Sequence, residues 1–217
     1  MTETIDALAA TPASSQGGRV FGVAVAQVIE NVDSQRLGRV QISLPWLPDV
    51  EPWARVAVLS AGSSRGTWFI PQVGDEVLVA FEQGDVRVPY VIGSLWNATD
   101  MPPADSPTDP IARRIVKTPA GHTIELDDVK QSITIKTSTD QKVSITPEKI
   151  ELSAGSGANT VTLETAGTIT LKAAVKIDLQ APDIELSGTN LVLSGDASAS
   201  LKAGATCSVQ GALVRIN

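Results

Sequence analysis

The carboxyl-terminal half of the chain repeats a short apolar–x–apolar unit every seven to eleven residues from about Ser132 onward. From Leu152 to Ile216 the last apolar position of the unit advances in eight steps over 64 residues. Alternation inside each unit predicts a short strand with one buried face. Gly, Asn, Asp, Ser or Pro between units predicts a turn after each strand. A repeat of fixed period indicates a solenoid or a fibre and not a globular enzyme domain.

The two halves differ in their aromatic content. All eight aromatic residues lie before residue 97. Because large rings suit a rounded core and small aliphatic residues a narrow one, the first half is expected to be compact and the second thin. The Pro- and Asp-rich segment Asn97–Pro110 is typical of an extended connector. We therefore predict a flexible N-terminal arm (1–18), a compact domain (19–97), a Pro-rich connector (98–111) and a β-helix spike (112–217).

The compact domain is predicted to be all-β. Five segments alternate apolar and polar residues and are separated by turn signals: Val20–Val28, Gly38–Leu44, Trp53–Leu59, Asp75–Phe81 and Val88–Leu95. Five short strands with long second and third connections favour a small OB-type barrel, with a two-sheet sandwich as the alternative. The tryptophans are expected to pack this barrel and its contacts with neighbouring subunits.

The repeat cannot be stable as an isolated ribbon, because its edges would stay open and its apolar face unburied. A single chain could coil into a solenoid, or three chains could wind around one axis as an intertwined trimeric β-helix. The small aliphatic inward residues favour the trimer, which makes the predicted fold an all-β barrel followed by a needle. The predicted trimer core comprises Ile133, Ile135, Val143, Ile145, Ile150, Leu152, Val161, Leu163, Ile169, Leu171, Ile177, Leu179, Ile184, Leu186, Leu191, Leu193, Leu201 and Val209.

Charge and cysteine content limit the possible functions. The net charge is −7, and the compact domain contains no lysine. Since affinity for nucleic acid depends largely on Lys and Arg, this balance argues against a nucleic-acid partner. One cysteine excludes an intramolecular disulfide framework and is compatible with a reducing cytosol. The N-terminal residues show neither a signal peptide nor a membrane-spanning run, so synthesis in the cytoplasm is expected.

No catalytic, cofactor or metal site is predicted. His122 is the single histidine and lacks the His or Cys neighbours that a metal site needs. Cys207 is expected to be a small buried hydrophobe. The acid pairs Asp75–Glu76 and Asp127–Asp128 are adjacent in sequence and do not converge, so solvated loops are expected there. Charged residues at the x positions of the repeat are expected to coat its outer surface and to block edge pairing.

The compact domain resembles a known family over a long ordered string. The matching pieces are GRV…LPW (Gly38–Trp46), WARV (Trp53–Val56), G-x-x-FIP-x-VGDEVLVAFE-x-GD (Gly66–Asp85) and PYVIGSLWN (Pro89–Asn97). With the trailing repeat, they are similar to the phage baseplate assembly protein V and VgrG central spike family. The resemblance implies a homotrimeric, membrane-puncturing spike of a contractile phage tail-like injection system, assembled into a virion or an injection device and meeting the target membrane transiently.

Departures from larger relatives add expectations about partners. Only about 18 residues precede the barrel, which implies a separate hub protein at that end. The connector leaves no room for an inserted lysozyme domain, and one histidine cannot form the iron-binding apex of some spikes. The resemblance implies instead that a small PAAR-type tip protein covers the C-terminal end, at an interface formed by Leu213, Val214, Arg215, Ile216 and Asn217. Two alternatives are an OB-fold nucleic-acid-binding module with a solenoid tail and a trimeric receptor-binding fibre.

Overall fold

The computed structural model describes residues 19–103 and 111–215 and contains no α-helix within these ranges. Its strands are β1 (Val23–Glu30), β2 (Arg39–Ser43), β3 (Trp53–Val56), β4 (Ala61–Gly62), β5 (Arg65–Gly66), β6 (Glu76–Phe81), β7 (Pro89–Leu95), β8 (Arg113–Lys117), β9 (Thr123–Asp127), β10 (Ser132–Lys136), β11 (Lys142–Ile145), β12 (Lys149–Ala154), β13 (Asn159–Glu164) and β14 (Ile169–Lys172). The described residues divide into two compact units: 19–103, 111–119 and 123–129 form the first, and 120–122 with 130–215 form the second. The protein is therefore all-β, as predicted.

The first unit contains a closed five-stranded barrel. Its strands follow the order β1-β2-β3-β7-β6, and β6 pairs with β1 to close the ring. All neighbours are antiparallel except β3 and β7, which run parallel. This arrangement is OB-like, so the predicted five-stranded barrel is confirmed. The two-residue strands β4 and β5 form a small separate hairpin within the connection that follows β3.

The barrel core is aliphatic, which contradicts the expected core of large rings. Its buried residues alternate along the strands and comprise Ala26, Val28, Val40, Ile42, Leu44, Ala54, Val77, Val79, Phe81 and Val91. Phe81 is the one aromatic ring in this cluster, and Trp46 meets its edge at a centroid distance of 6.3 Å. Trp46, Trp68 and Trp96 are exposed. A five-stranded barrel has a narrow interior that β-branched residues already fill, so the indoles remain outside.

The loop between β1 and β2 is organised by Asp33. Its carboxylate accepts the backbone N–H groups of Gln35 and Leu37 at 3.0 Å each. It also accepts two hydrogen bonds from the Arg39 guanidinium, at 3.1 and 2.9 Å, and only 4% of the Asp33 side chain is exposed. These donors hold the pKa of Asp33 well below its usual range. The Arg39 guanidinium in turn lies over the Trp53 ring, 5.5 Å from its centroid.

Asp33→Asn is expected to lower the melting temperature of the barrel by several degrees at neutral pH, because it removes the charged acceptor of this network. The pKa of the Asp33 carboxyl is lower in the folded protein than in the unfolded chain, where it is about 4. Its contribution to the free energy of unfolding is therefore complete above about pH 4 and is lost as the pH falls toward the folded pKa. The deficit of the variant should therefore be large at pH 6 and shrink at pH 3, as measured by thermal denaturation. Asp49→Asn, in an exposed loop, is the control. An equal deficit at both pH values would contradict this role for Asp33.

The C-terminal strands form antiparallel ladders in chain order. β8 and β9 make a hairpin, and β10 to β14 continue as a meander in which each strand pairs with the next. Tight turns join the strands, and several use left-handed backbone: Asp140 has φ 72° and Gly167 has φ 94°. The repeat units from Ile133 to Leu171 are therefore strands, as predicted.

The segment that follows β14 differs from the strands before it in hydrogen bonding and in burial. Within described residues 173–215 no strand is assigned, and from residue 174 onward every side chain is exposed. The apolar repeat continues through this segment without an intrachain partner strand. The predicted strands of the units from Ile177 onward thus do not form within one chain, because a β-strand needs a neighbouring strand to accept and donate its backbone hydrogen bonds.

Candidate functional site

The predicted core residues of the meander lie on one face and pair with one another across the strands. One row joins Ile135, Val143, Leu152, Val161 and Leu171, and a second row joins Ile133, Ile145, Ile150, Leu163 and Ile169. Each pair is directly opposite in the ladder, so the side chains stack along the sheet. The alternating apolar residues thus form a continuous surface two residues wide. These two rows, ten residues in all, are termed the apolar face.

This apolar face is open in the single chain. Leu163 is 39% exposed and Ile169 is 71% exposed, and only Val143 and Val161 among its ten members are half-buried. The opposite face carries polar side chains, yet Ser144 is only 9% exposed. Burying apolar area contributes about 25 cal/mol per Å², so a face this large is unfavourable in water. Its exposure indicates that another surface covers it.

The opposite face carries the charges. The Lys149 ammonium donates to the Glu151 carboxylate, which raises the pKa of Lys149, and Glu164 lies opposite Lys149 in the ladder. Lys136 lies 2.8 Å from the Asp140 carboxylate and lowers the pKa of Asp140. Each of these pairs is at least partly exposed, so its contribution to stability is small. The polar face is suited to solvent, which agrees with the expected charged coat.

The remaining predicted core residues lie in the segment beyond β14. Each is more than half exposed: Ile177, Leu179, Ile184, Leu186, Leu191, Leu193, Leu201 and Val209. Of the predicted tip interface, Leu213, Val214 and Arg215 are exposed, whereas Ile216 and Asn217 lie outside the described residues. Whether these residues form a trimer core and a tip interface stays a prediction.

The predicted trimer core leaves out one part of the exposed apolar surface. In the β8–β9 hairpin, Val116 pairs with Ile124, and Leu126 shares their face. All three are exposed although each is apolar. The segment Thr123–Asp127 contains the same apolar–Glu–apolar pattern as the later units and lies within the predicted spike, which begins at residue 112, although the predicted trimer core begins only at Ile133. The hairpin presents the same kind of open face as the meander.

Cys207 is exposed in the single chain, and its burial in the needle stays a prediction. One expectation about a single residue is wrong. Asp127 was expected in a solvated loop, but it ends β9 and is only 5% exposed. His122 accepts a hydrogen bond at Nδ1 from the backbone N–H of Ser138, at 3.2 Å. Among residues 19–103 and 111–215 no group of three or more His, Cys, Asp or Glu side chains is placed to hold a metal ion.

A search for membrane-spanning helices within the described part of the chain finds none of sufficient length and hydrophobicity.

Comparison with protein families gives two matches that follow one another along the chain. Residues 24–96 match the OB domain of type VI secretion system and phage-baseplate injectors. Residues 114–217 match the phage baseplate V C-terminal trimerisation domain. The chain belongs to the phage baseplate V family. The apolar face therefore lies in a region that corresponds to the trimerisation domain of baseplate V proteins, and the family resemblance seen in the sequence is confirmed.

Curated relatives of this baseplate V chain are VgrG proteins. The type VI secretion system spike protein VgrG2a of Pseudomonas aeruginosa is 29% identical over 147 residues, which are 61% of this chain and 18% of that protein. The spike protein VgrG3 of Vibrio cholerae is 35% identical over 95 residues, 39% of this chain and 9% of that protein. The actin cross-linking toxin VgrG1 of Vibrio cholerae is 34% identical over 99 residues, which are 41% of this chain and 9% of that protein. The chain thus spans less than a fifth of these relatives.

Proposed function

We propose that three copies of this chain form the central spike of a contractile, phage tail-like injection machine. The observation that carries the proposal is the apolar face, which is aligned in register within one chain and left open by it. Three such faces turned toward a common axis would bury one another and leave the charged faces in solvent. Membership of the baseplate V family and similarity to VgrG spike proteins support the same assembly.

The segment beyond β14 favours an intertwined trimer over a single-chain solenoid. A solenoid would bury its repeat against its own neighbouring coils, whereas residues 174–215 are exposed throughout. In the proposed trimer, the strands of this segment pair with those of the other two copies. Hydrogen bonds between chains and a continuous aliphatic core would make the needle rigid, and the proposed role is mechanical: the contracting machine drives the needle through a target envelope. No chemical step is assigned to the chain.

The solution mass is the first test of this proposal. We expect a particle of three times the 22.7 kDa chain mass, measured by light scattering on a size-exclusion peak. The physical reason is that none of the residues 19–103 and 111–215 covers the apolar face. A monomer at micromolar concentration would contradict the proposal, because the face would then have to close on its own chain.

The two ends of the spike are proposed to meet different partners. A hub protein of the baseplate would contact the barrel end, and a PAAR-type tip protein would contact residues 213–217. The exposed apolar side chains of Leu213 and Val214 support a protein contact at the second position. These partners are expectations from the family and are tested separately from trimer formation.

Deleting Leu213–Asn217 is expected to abolish binding of the tip protein while leaving the trimer intact. The deletion removes the exposed apolar side chains of Leu213 and Val214 but none of the paired rows of the meander. Binding is measured by calorimetry and trimer mass by light scattering. Ser208→Asp, at an exposed polar position outside the deleted residues, is the control. A truncated trimer that holds the tip protein at full affinity would exclude this interface.

A further inference from the structure

The barrel carries a cleft of about 620 Å³ beside the β4–β5 hairpin. Its apolar lining includes Leu37, Val56, Val58, Trp68 and Ile70. Arg36 and Arg65 also line it. No Asp or Glu is found among the described residues that line the cleft, although the whole chain carries a net charge of −7. The cleft is thus a locally cationic hollow in an acidic protein.

The two arginines are not neutralised within the described part of the chain. Neither Arg36 nor Arg65 has a side-chain ion pair there, whereas Arg39 and Arg87 are paired with Asp33 and Asp85. Asp33, although close to Arg36 in sequence, is already occupied by Arg39 and by backbone amides. Two guanidinium groups without an ion pair in this part of the chain, next to an apolar wall, favour a ligand that carries both an anionic group and an apolar group.

The walls of the cleft are held in position. The Trp68 ring is 75% exposed, yet it lies so close to Gly38 that an added Cβ there would be 3.1 Å from Cζ3. The Arg65 guanidinium lies over Gly62, where an added Cβ would be 2.9 Å from Cζ. Thr67 also lines the cleft, and its buried hydroxyl has no hydrogen-bond partner within the described residues. A buried hydroxyl without a partner is unfavourable.

We infer that this cleft binds an extended peptide segment of a partner protein that presents a carboxylate beside an apolar side chain. The carboxylate would be held by Arg36 and Arg65, and the apolar side chain would lie against the aliphatic wall and Trp68. A polyphosphate or nucleic-acid ligand fits less well, because the wall is largely apolar and the chain as a whole repels polyanions. The cleft lies within one barrel, so this inference does not depend on the proposed spike.

The test is a selection of random octapeptides by ribosome display against the full-length protein, followed by fluorescence polarisation of an enriched peptide. Enriched sequences should place Asp or Glu next to a large apolar residue. Affinity of the chosen peptide should fall about tenfold or more in Arg36→Gln/Arg65→Gln, since both charge-assisted contacts are lost. Arg55→Gln/Arg87→Gln removes the same charge elsewhere on the barrel and should bind as the native protein does.

Four results would overturn the inference. The first is an enrichment without acidic residues, and the second is an equal loss of affinity in the two double variants. The third is binding of oligothymidine or inorganic phosphate that depends on Arg36 and Arg65 without any selected peptide. The fourth is a fall in particle mass in Arg36→Gln/Arg65→Gln, which would make the cleft a contact between copies of this chain. Light scattering of the native protein reports on the spike proposal independently.

Discussion

Leu163→Asp is expected to convert the trimer into a monomer at micromolar concentration. Leu163 lies in the apolar face between Ile150 and Ile169, its direct cross-strand partners. In the proposed trimer each copy would bury one unpaired carboxylate, at a cost on the order of several kcal/mol per ion. Because the trimer contains three copies, three carboxylates are buried. Their total desolvation cost exceeds the free energy lost with one leucine contact. Light scattering measures the resulting mass.

The matched control is Thr160→Asp on the same strand. Thr160 lies half-buried on the opposite face, where its cross-strand partners are Ser153 and Lys172, so an aspartate there has a lysine as its neighbour and does not enter the apolar face. This variant should keep the trimer mass. The barrel is expected to stay folded in both variants, as its core shares no residue with the apolar face. Loss of the trimer in both variants, or in neither, would exclude the apolar face as the trimer interface.

Backbone amides of residues 173–215 are expected to exchange slowly in the trimer and at unprotected rates in the Leu163→Asp monomer. This segment has no intrachain strand, so its amides, apart from that of Ala174, which donates to Asn159 Oδ1, gain protection only from partner chains. The rates should differ about a hundredfold or more, because opening free energies range from about zero to the full unfolding free energy. Hydrogen–deuterium exchange with mass spectrometry measures this difference by segment.

The same exchange experiment contains its own control. Amides of β1 and β6 pair within one barrel and should be protected equally in the native protein and the monomeric variant. Protection of residues 173–215 in the monomer would mean that the segment closes on its own chain. That result would favour a solenoid and would remove the intertwined needle from the proposal.

The barrel was predictable because alternation and turn signals both act locally. All five of its strands form where the alternating segments lie, and the differences are at the ends. The first strand continues to Glu30 because a bulge near Val28 shifts its register against β2. The third ends at Val56, where the Ala57 N–H donates to the Val91 carbonyl and the chain then leaves for the β4–β5 hairpin. Such boundaries depend on long-range partners that alternation does not specify.

The positions of the aromatic rings were not predictable from their number. A tryptophan is apolar enough for a core, yet the interior of this barrel is filled by residues such as Val40, Ile42 and Val79. Trp68 instead lies outside, against Gly38, because the glycine leaves room for the ring on the backbone. The cleft beside it was equally hidden, since Arg36 and Arg65 come together only through the connection that follows β3.

The sequence by itself determined the all-β class, the barrel strands and the face of each repeat unit, because side-chain alternation in a strand has a period of two residues whatever lies beside it. The tertiary structure alone decided which strands find partners within the chain. From Ile133 to Leu171 each strand pairs with the next, whereas within residues 173–215 no such pairing forms. Backbone hydrogen bonding is a property of two strands, so it is settled only when a second strand is in place.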